Sequence, residues 1–136
     1  MSLVIDASVA LSWCFADEAS PLAERVLDRV AAEDAVVPSI WPFEMANGLR
    51  SAERGGPLDM ADVSRIRELL LALPIRVESV DLADALGEVT ELARSLQLTA
   101  YDAAYVALAA RLGLPLATAD QRLIAACSVA GVSVVE

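Results

Sequence analysis

The chain has 136 residues, a length that predicts one domain with its own apolar core over residues 1–136. Its 20 acidic and 10 basic residues give a formal net charge of −10, which excludes a protein that coats nucleic acid by charge neutralisation alone. The sequence contains no histidine, so the usual zinc ligand and the serine–histidine and cysteine–histidine nucleophile systems are excluded as well.

The first third of the chain predicts two strands and two helices. Residues 3–5 form an apolar run that ends at an aspartate, and residues 8–15 follow with helical spacing. A serine–proline pair at 20–21 supplies a preferred N-cap and a preferred first helical residue, and the apolar positions after it predict a helix to about residue 32. Residues 35–37 then read as a second buried strand.

The middle of the chain predicts two more helices and a strand. Pro42 suits the opening of a helix that ends at the Gly-Gly-Pro sequence 55–57. Asp59 can cap the next helix, whose apolar residues fall on one stripe and which ends before Pro74. Residues 75–80 are strand-like.

The last third continues the same alternation. Helices are predicted over 81–96 and 99–112, a strand over 116–118, a helix over 121–126 and a final strand over 132–135. Short apolar strands that alternate with amphipathic helices are typical of a mostly parallel sheet covered on both faces. The predicted fold class is therefore a three-layer α/β/α sandwich.

Assembly and location follow from the apolar residues. They make up 57% of the sequence, more than one small core can bury, which predicts a homodimer. No apolar run approaches the roughly 18 residues of a membrane span, and the N-terminus lacks the basic start of a signal peptide. Cys14 and Cys127 have apolar neighbours and no C-x-x-C spacing, which indicates buried, reduced thiols. We therefore expect a cytoplasmic protein that makes no membrane contact.

Four carboxylates are predicted to meet at one edge of the sheet. Asp6 and Asp120 end two different strands, and Glu44 and Asp102 lie in the opening turns of helices that begin near the same edge. Each has an ordinary alternative: Asp6 and Asp120 could cap the helices that follow, Asp102 could belong to a Thr-x-x-Asp capping box, and Glu44 could be a solvated helix residue. Clustered carboxylates raise one another's pKa unless a cation neutralises them, and with oxygen ligands alone Mg²⁺ or Mn²⁺ is the natural choice.

Each of these carboxylates lies in a segment with a recognisable pattern. The segments are VIDASV at 4–9, PFEMANGL at 42–49, YDAAYVALA at 101–109 and ATADQRL at 117–123. In this order and at these separations they resemble the four motifs of PIN domains, and most closely those of VapC-type toxins. Each motif is weak alone, but the set spans the whole chain and no acidic position is missing.

The resemblance implies the toxin of a type II toxin–antitoxin module. Such a protein is a Mg²⁺- or Mn²⁺-dependent endoribonuclease that cleaves structured RNA, of the transfer or ribosomal RNA class, by metal-activated water. A cognate VapB-type antitoxin holds it inactive. Carried over by position, Asp6 and Asp102 would be the principal metal ligands, and Glu44 and Asp120 would complete the catalytic cluster directly or through water.

The resemblance also singles out polar neighbours of the cluster, and the sequence places two arginines close by. Ser8, Asn47 and Thr118 resemble supporting polar residues, although Ser8 and Thr118 could equally satisfy local backbone groups. Arg50 and Arg54, just beyond Glu44, could contact RNA phosphates or be ordinary solvated helix charges. Four aromatic residues could stack on bases but are more typical of a core or an interface: Trp13, Trp41, Tyr101 and Tyr105.

Other functions are compatible with the same carboxylates. A metal-dependent phosphatase, a DNA-directed nuclease or a PIN nuclease that is not a toxin could use the same arrangement for phosphoryl transfer. A receiver-like signalling domain would need a phosphate-pairing lysine, and the chain has none. A catalytically silent PIN scaffold that only binds protein is disfavoured by the complete set of four carboxylates.

Overall fold

A four-stranded, fully parallel sheet forms the centre of the computed structural model, which describes residues 1–136. The strands are β1 (Leu3–Ile5), β2 (Ala35–Pro38), β3 (Ile75–Glu78) and β4 (Leu116–Ala117), in the order β3-β2-β1-β4. In the register of the sheet, Val4 of β1 lies between Val36 and Leu116 of its two neighbours. Because all strands run the same way, their carboxyl ends meet at one edge.

Helices follow each strand. They are α1 (Ala7–Ser12), α2 (Pro21–Ala32), α3 (Trp41–Gly55), α4 (Met60–Ala72), α5 (Leu82–Asp84), α6 (Thr90–Leu96), α7 (Ala100–Leu112) and α8 (Gln121–Ala130). A short 3₁₀ turn covers Ala16–Glu18, and a π-helical turn, Ala85–Val89, joins α5 to α6. None of these helices combines the length and apolar character that crossing a membrane requires.

Burial of the strands shows that helices cover both faces of the sheet. Every residue of β1, β2 and β4 is buried, whereas β3, at the edge, is only partly so. Successive strand residues point to opposite faces, so complete burial requires cover on each side. The three-layer α/β/α sandwich predicted from the sequence is confirmed.

Several boundaries differ from those predicted. The first helix ends at Ser12, earlier than expected, and α8 continues to Ala130, where Gly131 in the left-handed conformation ends it. The predicted strand 132–135 is reduced to a bridge between Leu116 and Val134. Because β4 has only two residues, it offers this segment too few partners for a longer ladder.

The cysteines are free, as the sequence predicts, although only Cys127 is fully buried and Cys14 is half-buried.

Candidate active site

Asp6 is the most enclosed carboxylate of the molecule. It follows β1 directly and caps α1: its Oδ1 accepts hydrogen bonds from the Val9 N–H at 3.0 Å and from the Ser8 hydroxyl at 2.7 Å. Its Oδ2 accepts a hydrogen bond from the Thr118 hydroxyl. The residue is only 4% exposed, and burial raises the pKa of Asp6 despite these three hydrogen bonds. Asp6 therefore caps α1, and its buried carboxyl has no basic partner.

Thr118 connects the ends of β1 and β4. It is fully buried, and its hydroxyl donates to Asp6 and accepts a hydrogen bond from the Asp120 N–H at 3.0 Å. The Ser8 hydroxyl, which donates to Asp6, also accepts one from the Ala119 N–H at 3.4 Å. Both hydroxyls therefore satisfy backbone groups and also contact the Asp6 carboxylate.

Asp120 and Asp102 share one basic partner, Arg122. Asp120 caps α8 through the Arg122 N–H at 2.9 Å, and its other oxygen accepts a hydrogen bond from Arg122 Nη2 at 3.2 Å. The same Nη2 lies 3.6 Å from Asp102 Oδ2. Burial acts to raise the pKa of Asp120, but the hydrogen bonds and charge of Arg122 outweigh it and lower that pKa. One guanidinium thus lies within ion-pair distance of two of the four carboxylates.

Asp102 lies in the first turn of α7, where Thr99 is the N-cap. The Thr99 hydroxyl accepts a hydrogen bond from the Asp102 N–H at 3.1 Å, but the reciprocal bond of a capping box does not form. The backbone of Asp102 therefore takes part in capping α7, but its carboxylate does not. Its carboxylate instead faces Arg122.

Glu44, in the first turn of α3, accepts a hydrogen bond on Oε1 from the Tyr105 hydroxyl. Burial is the largest cause of the raised pKa of Glu44; the Tyr105 bond opposes it, and the charges of Asp102 and Asp6 add to it. Tyr105 is 1% exposed, so its hydroxyl requires a partner. The contact was not predicted from the sequence, although Asp102 and Tyr105 are three residues apart on α7 and so share one helix face.

The four predicted carboxylates therefore lie together at the carboxyl edge of the sheet. No three acidic or cysteine side chains, however, are arranged to hold a metal ion between them in this conformation. Thr118, Tyr105 and Arg122 engage the oxygens that such an ion would use. The donor set still fits a hard divalent cation, since it consists of carboxylates alone and burial raises the pKa of two of them.

Three other residues singled out by the sequence lie on the exposed surface of α3. Asn47 makes no side-chain hydrogen bond, Arg50 pairs with Glu53 at 2.6 Å, and Arg54 contacts none of the four carboxylates. A supporting role for Asn47 and an RNA-binding role for the two arginines remain predictions. Arg122, to which the sequence reasoning gave no role, is the arginine that contacts the site.

Comparison with known proteins agrees with the fold and the carboxylate pattern. Residues 3–128 match the family described as PIN domain. The chain belongs to the PIN domain family. Within that family it is 33% identical to Ribonuclease VapC3 of Pyrobaculum aerophilum over 90% of this chain and 92% of that protein. It is 37% identical to Ribonuclease VapC9 of Mycobacterium tuberculosis over 89% and 87% of the two chains.

Solved structures show the same architecture. The crystal structure of PAE2754 from Pyrobaculum aerophilum superposes with a TM-score of 0.71 at 26% identity, covering 93% of this chain and 84% of that one. A chain in the structure of FitAcB from Neisseria gonorrhoeae superposes with a TM-score of 0.67 at 19% identity, covering 100% and 97%. The resemblance to VapC-type PIN domains stated from the motifs is confirmed.

Proposed function

We propose that this protein is a VapC-type endoribonuclease toxin that cleaves RNA with a Mg²⁺ or Mn²⁺ ion. The ion would be bound by four carboxylates: Asp6, Glu44, Asp102 and Asp120. The observation that carries the proposal is the meeting of these four carboxylates at one sheet edge, with burial raising the pKa of Asp6 and Glu44. Relatives more than 30% identical bear the name ribonuclease, which supports the reaction class.

The carboxylates would share the cation unequally. Asp6 and Asp102 are assigned as its principal ligands, and Glu44 and Asp120 complete the set directly or through water. A divalent cation held there would activate water and would neutralise the charge that develops on a phosphate during hydrolysis. The positive charge of the ion would also offset the repulsion between these neighbouring carboxylates.

The surrounding hydroxyls orient the carboxylates. Ser8 and Thr118 donate to opposite oxygens of Asp6, so its carboxyl plane is fixed before any ligand arrives. Tyr105 fixes Oε1 of Glu44 and leaves Oε2 without a hydrogen bond. A carboxyl whose pKa is raised by burial is better suited to accept a proton from water, and this would suit Glu44.

The substrate proposed is structured RNA of the transfer or ribosomal RNA class. The net charge of −10 repels polyanions at long range, so the contacts that bind RNA must be local. Arg50 and Arg54, both exposed on the helix that carries Glu44, are candidates for phosphate contacts.

The partner proposed is a VapB-type antitoxin. An apolar groove of about 180 Å³ lies beside α1, α2 and α4 and suits an amphipathic segment of such a partner. Seven hydrophobic residues line it: Trp13, Cys14, Leu27, Ile66, Leu69, Leu70 and Leu73. The groove would provide affinity, and an arginine of the partner paired with the acidic site would block catalysis.

A homodimer is also proposed, because large apolar side chains are exposed away from this groove. Phe43 and Tyr101 are 72% and 63% exposed and line one surface depression with Val80 and Val89. Light scattering at micromolar concentration should give twice the chain mass, and a monomer would refute the dimer.

Cleavage assays test the nuclease directly. The purified chain should cut RNA but not DNA or a phosphomonoester, lose this activity in excess chelator, and regain it with Mg²⁺ or Mn²⁺. Asp6→Asn, prepared in parallel, should be inactive and so exclude a contaminating nuclease. Undiminished cleavage in chelator would refute the metal mechanism, and hydrolysis of DNA or of a phosphomonoester would favour the alternative phosphoryl-transfer functions.

Expression in cells tests the toxin. Expressed alone, the chain should arrest growth, and co-expression of the small protein encoded next to it should restore growth and suppress cleavage in vitro. An Arg→Ala change in that partner should restore cleavage while leaving binding at the groove. Harmless expression of an active protein would leave a PIN nuclease that is not a toxin.

A further inference from the structure

Arg122 is the one cation that the site carboxylates contact. Among the ten arginines of the chain, only its guanidinium lies within ion-pair distance of Asp102 or Asp120, at 3.6 and 3.2 Å from their Oδ2 atoms. Both contacts use Nη2, so most of the five N–H donors of the guanidinium make no bond to protein. The side chain is 72% exposed at the mouth of the site.

A guanidinium in this place competes with a metal ion. The oxygens that it engages belong to two of the four proposed ligands, and a second positive charge beside the ion would repel it. Exposed ion pairs contribute little to stability, so a divalent ion can displace the arginine from them. Arg122 and a metal ion would therefore compete for the Oδ2 atoms of Asp102 and Asp120.

The released side chain has an obvious new partner. Arg122 is 72% exposed and lies within ion-pair distance of Asp102 and Asp120, so a phosphate bound at these carboxylates would lie within reach of its guanidinium. The planar fork of a guanidinium pairs well with phosphate oxygens.

We propose that Arg122 and a divalent ion compete for the carboxylates of Asp102 and Asp120, and that Arg122, once displaced, binds an RNA phosphate beside the scissile bond. This inference rests on the proposed metal-dependent ribonuclease function. It makes Arg122 a substrate-binding residue, whose RNA contact exists only when metal is bound.

Metal affinity in the absence of RNA is the first readout. Mn²⁺ binding by calorimetry should be tighter for Arg122→Gln than for the unaltered chain, by about two- to fivefold. The matched control is Arg65→Gln, which removes the same charge from an exposed arginine paired with Asp62 on α4 and should leave the affinity unchanged. Similar thermal unfolding of both variants shows that the fold is retained.

RNA binding is the second readout, measured over a range of salt with a phosphorothioate uridine oligoribonucleotide, which keeps the backbone charge and resists hydrolysis in Mn²⁺. In saturating Mn²⁺, Arg122→Gln should bind more weakly and reduce the slope of log affinity against log salt by about one. In chelator the same substitution should leave the slope unchanged, because Arg122 is then held by the carboxylates. Arg65→Gln should change neither slope.

The outcomes separate this inference from the function beneath it. If the unaltered chain binds Mn²⁺ and cleaves RNA, but Arg122→Gln binds Mn²⁺ no more tightly than Arg65→Gln, the proposed competition is wrong. An equal loss of RNA affinity with and without Mn²⁺ would likewise refute the metal-dependent transfer. If the unaltered chain neither binds Mn²⁺ nor cleaves RNA, both proposals fail together.

Discussion

The ends of β1 and β4 are built alike and behave differently. Asp6 follows β1 directly and Asp120 lies shortly after β4, and each aspartate caps the helix that follows it. The Thr118 hydroxyl donates a hydrogen bond to the Asp6 carboxylate and accepts one from the Asp120 N–H. Asp6 is 4% exposed with a raised pKa, whereas the Asp120 side chain is 28% exposed with a lowered pKa. The local sequence places each carboxylate, and burial and the contacting side chains set the direction in which its pKa is shifted.

The difference separates two kinds of ligand. Asp6 is held by three hydrogen bonds and has no basic partner, so no ion pair has to break before it contacts a cation. Asp120 is neutralised by Arg122 and must exchange that partner first. The first provides a rigid ligand and the second an adjustable one.

The largest expected effect is on catalysis by Asp6→Asn. Changing residues that support a ligand typically costs 10- to 100-fold, so loss of the rigid ligand itself should reduce RNA cleavage by more than about 100-fold. Asp120→Asn should cost less, because its carboxylate is already shared with Arg122. Initial rates for the two purified variants decide this, and equal losses would remove the distinction between the two aspartates.

Next in size is the effect of Thr118→Val, which keeps the shape of the side chain but removes the hydroxyl bonded to Asp6. Activity should fall by about 10- to 100-fold, and Thr118→Ser should restore much of it. The control is Thr90→Val, which removes a hydroxyl that contacts none of the four carboxylates. The Thr90 hydroxyl donates to the Ala85 carbonyl at 2.7 Å. If both valine variants lose activity equally, the effect is on the fold and not on Asp6.

The free energy of unfolding, measured over a range of pH, should show that Asp6 and Asp120 contribute opposite pH dependences. The pKa of Asp6 is raised above its ordinary 3.8, so the folded, metal-free chain holds this proton more tightly than the unfolded chain. Stability therefore falls as pH rises through the window between 3.8 and the raised value, and the cost is fully present above it. The lowered pKa of Asp120 instead contributes stability that is lost only when pH falls below its ordinary 3.8.

Urea unfolding of the metal-free chain and of Asp6→Asn measures this difference. At neutral pH the variant should be at least as stable as the unaltered chain, and its advantage should shrink as pH is lowered toward 4. A gap that stays constant with pH would show that ionisation of Asp6 is not its cause.

The smallest effect concerns capping. Asp120→Ala should lower the free energy of unfolding by about 1 kcal/mol, whereas Asp120→Asn, which can still cap α8, should lower it by only a few tenths. Asp59→Ala at the N-cap of α4 provides a reference for an ordinary cap. If both substitutions at Asp120 leave stability unchanged, the hydrogen bond to the Arg122 N–H contributes nothing.

The sequence predicts the parts of the site that are local. Strand ends, caps and helical spacing are sufficient to place Asp6, Asp120, Glu44 and Asp102 at one edge, because each depends on only a few neighbouring residues. The sheet class follows in the same way from alternating short apolar runs and helices.

What the sequence could not predict depends on contacts between distant segments. The Tyr105 hydroxyl meets Glu44 across 61 positions, and Thr118 meets Asp6 across 112. The opposite pKa directions of Asp6 and Asp120 follow from burial and from the direction of the Arg122 side chain, neither of which spacing along the chain can show.

Direct binding of Mn²⁺ tests most closely the central claim that these carboxylates form one cation site. Calorimetry on the unaltered chain should show binding, which Asp6→Asn and Asp102→Asn should each abolish, while the exposed Asp28→Asn on α2 should leave it unchanged. If Asp6→Asn binds Mn²⁺ as the unaltered chain does, or if the unaltered chain does not bind it at all, the four carboxylates are not a metal site and the account of catalysis is wrong.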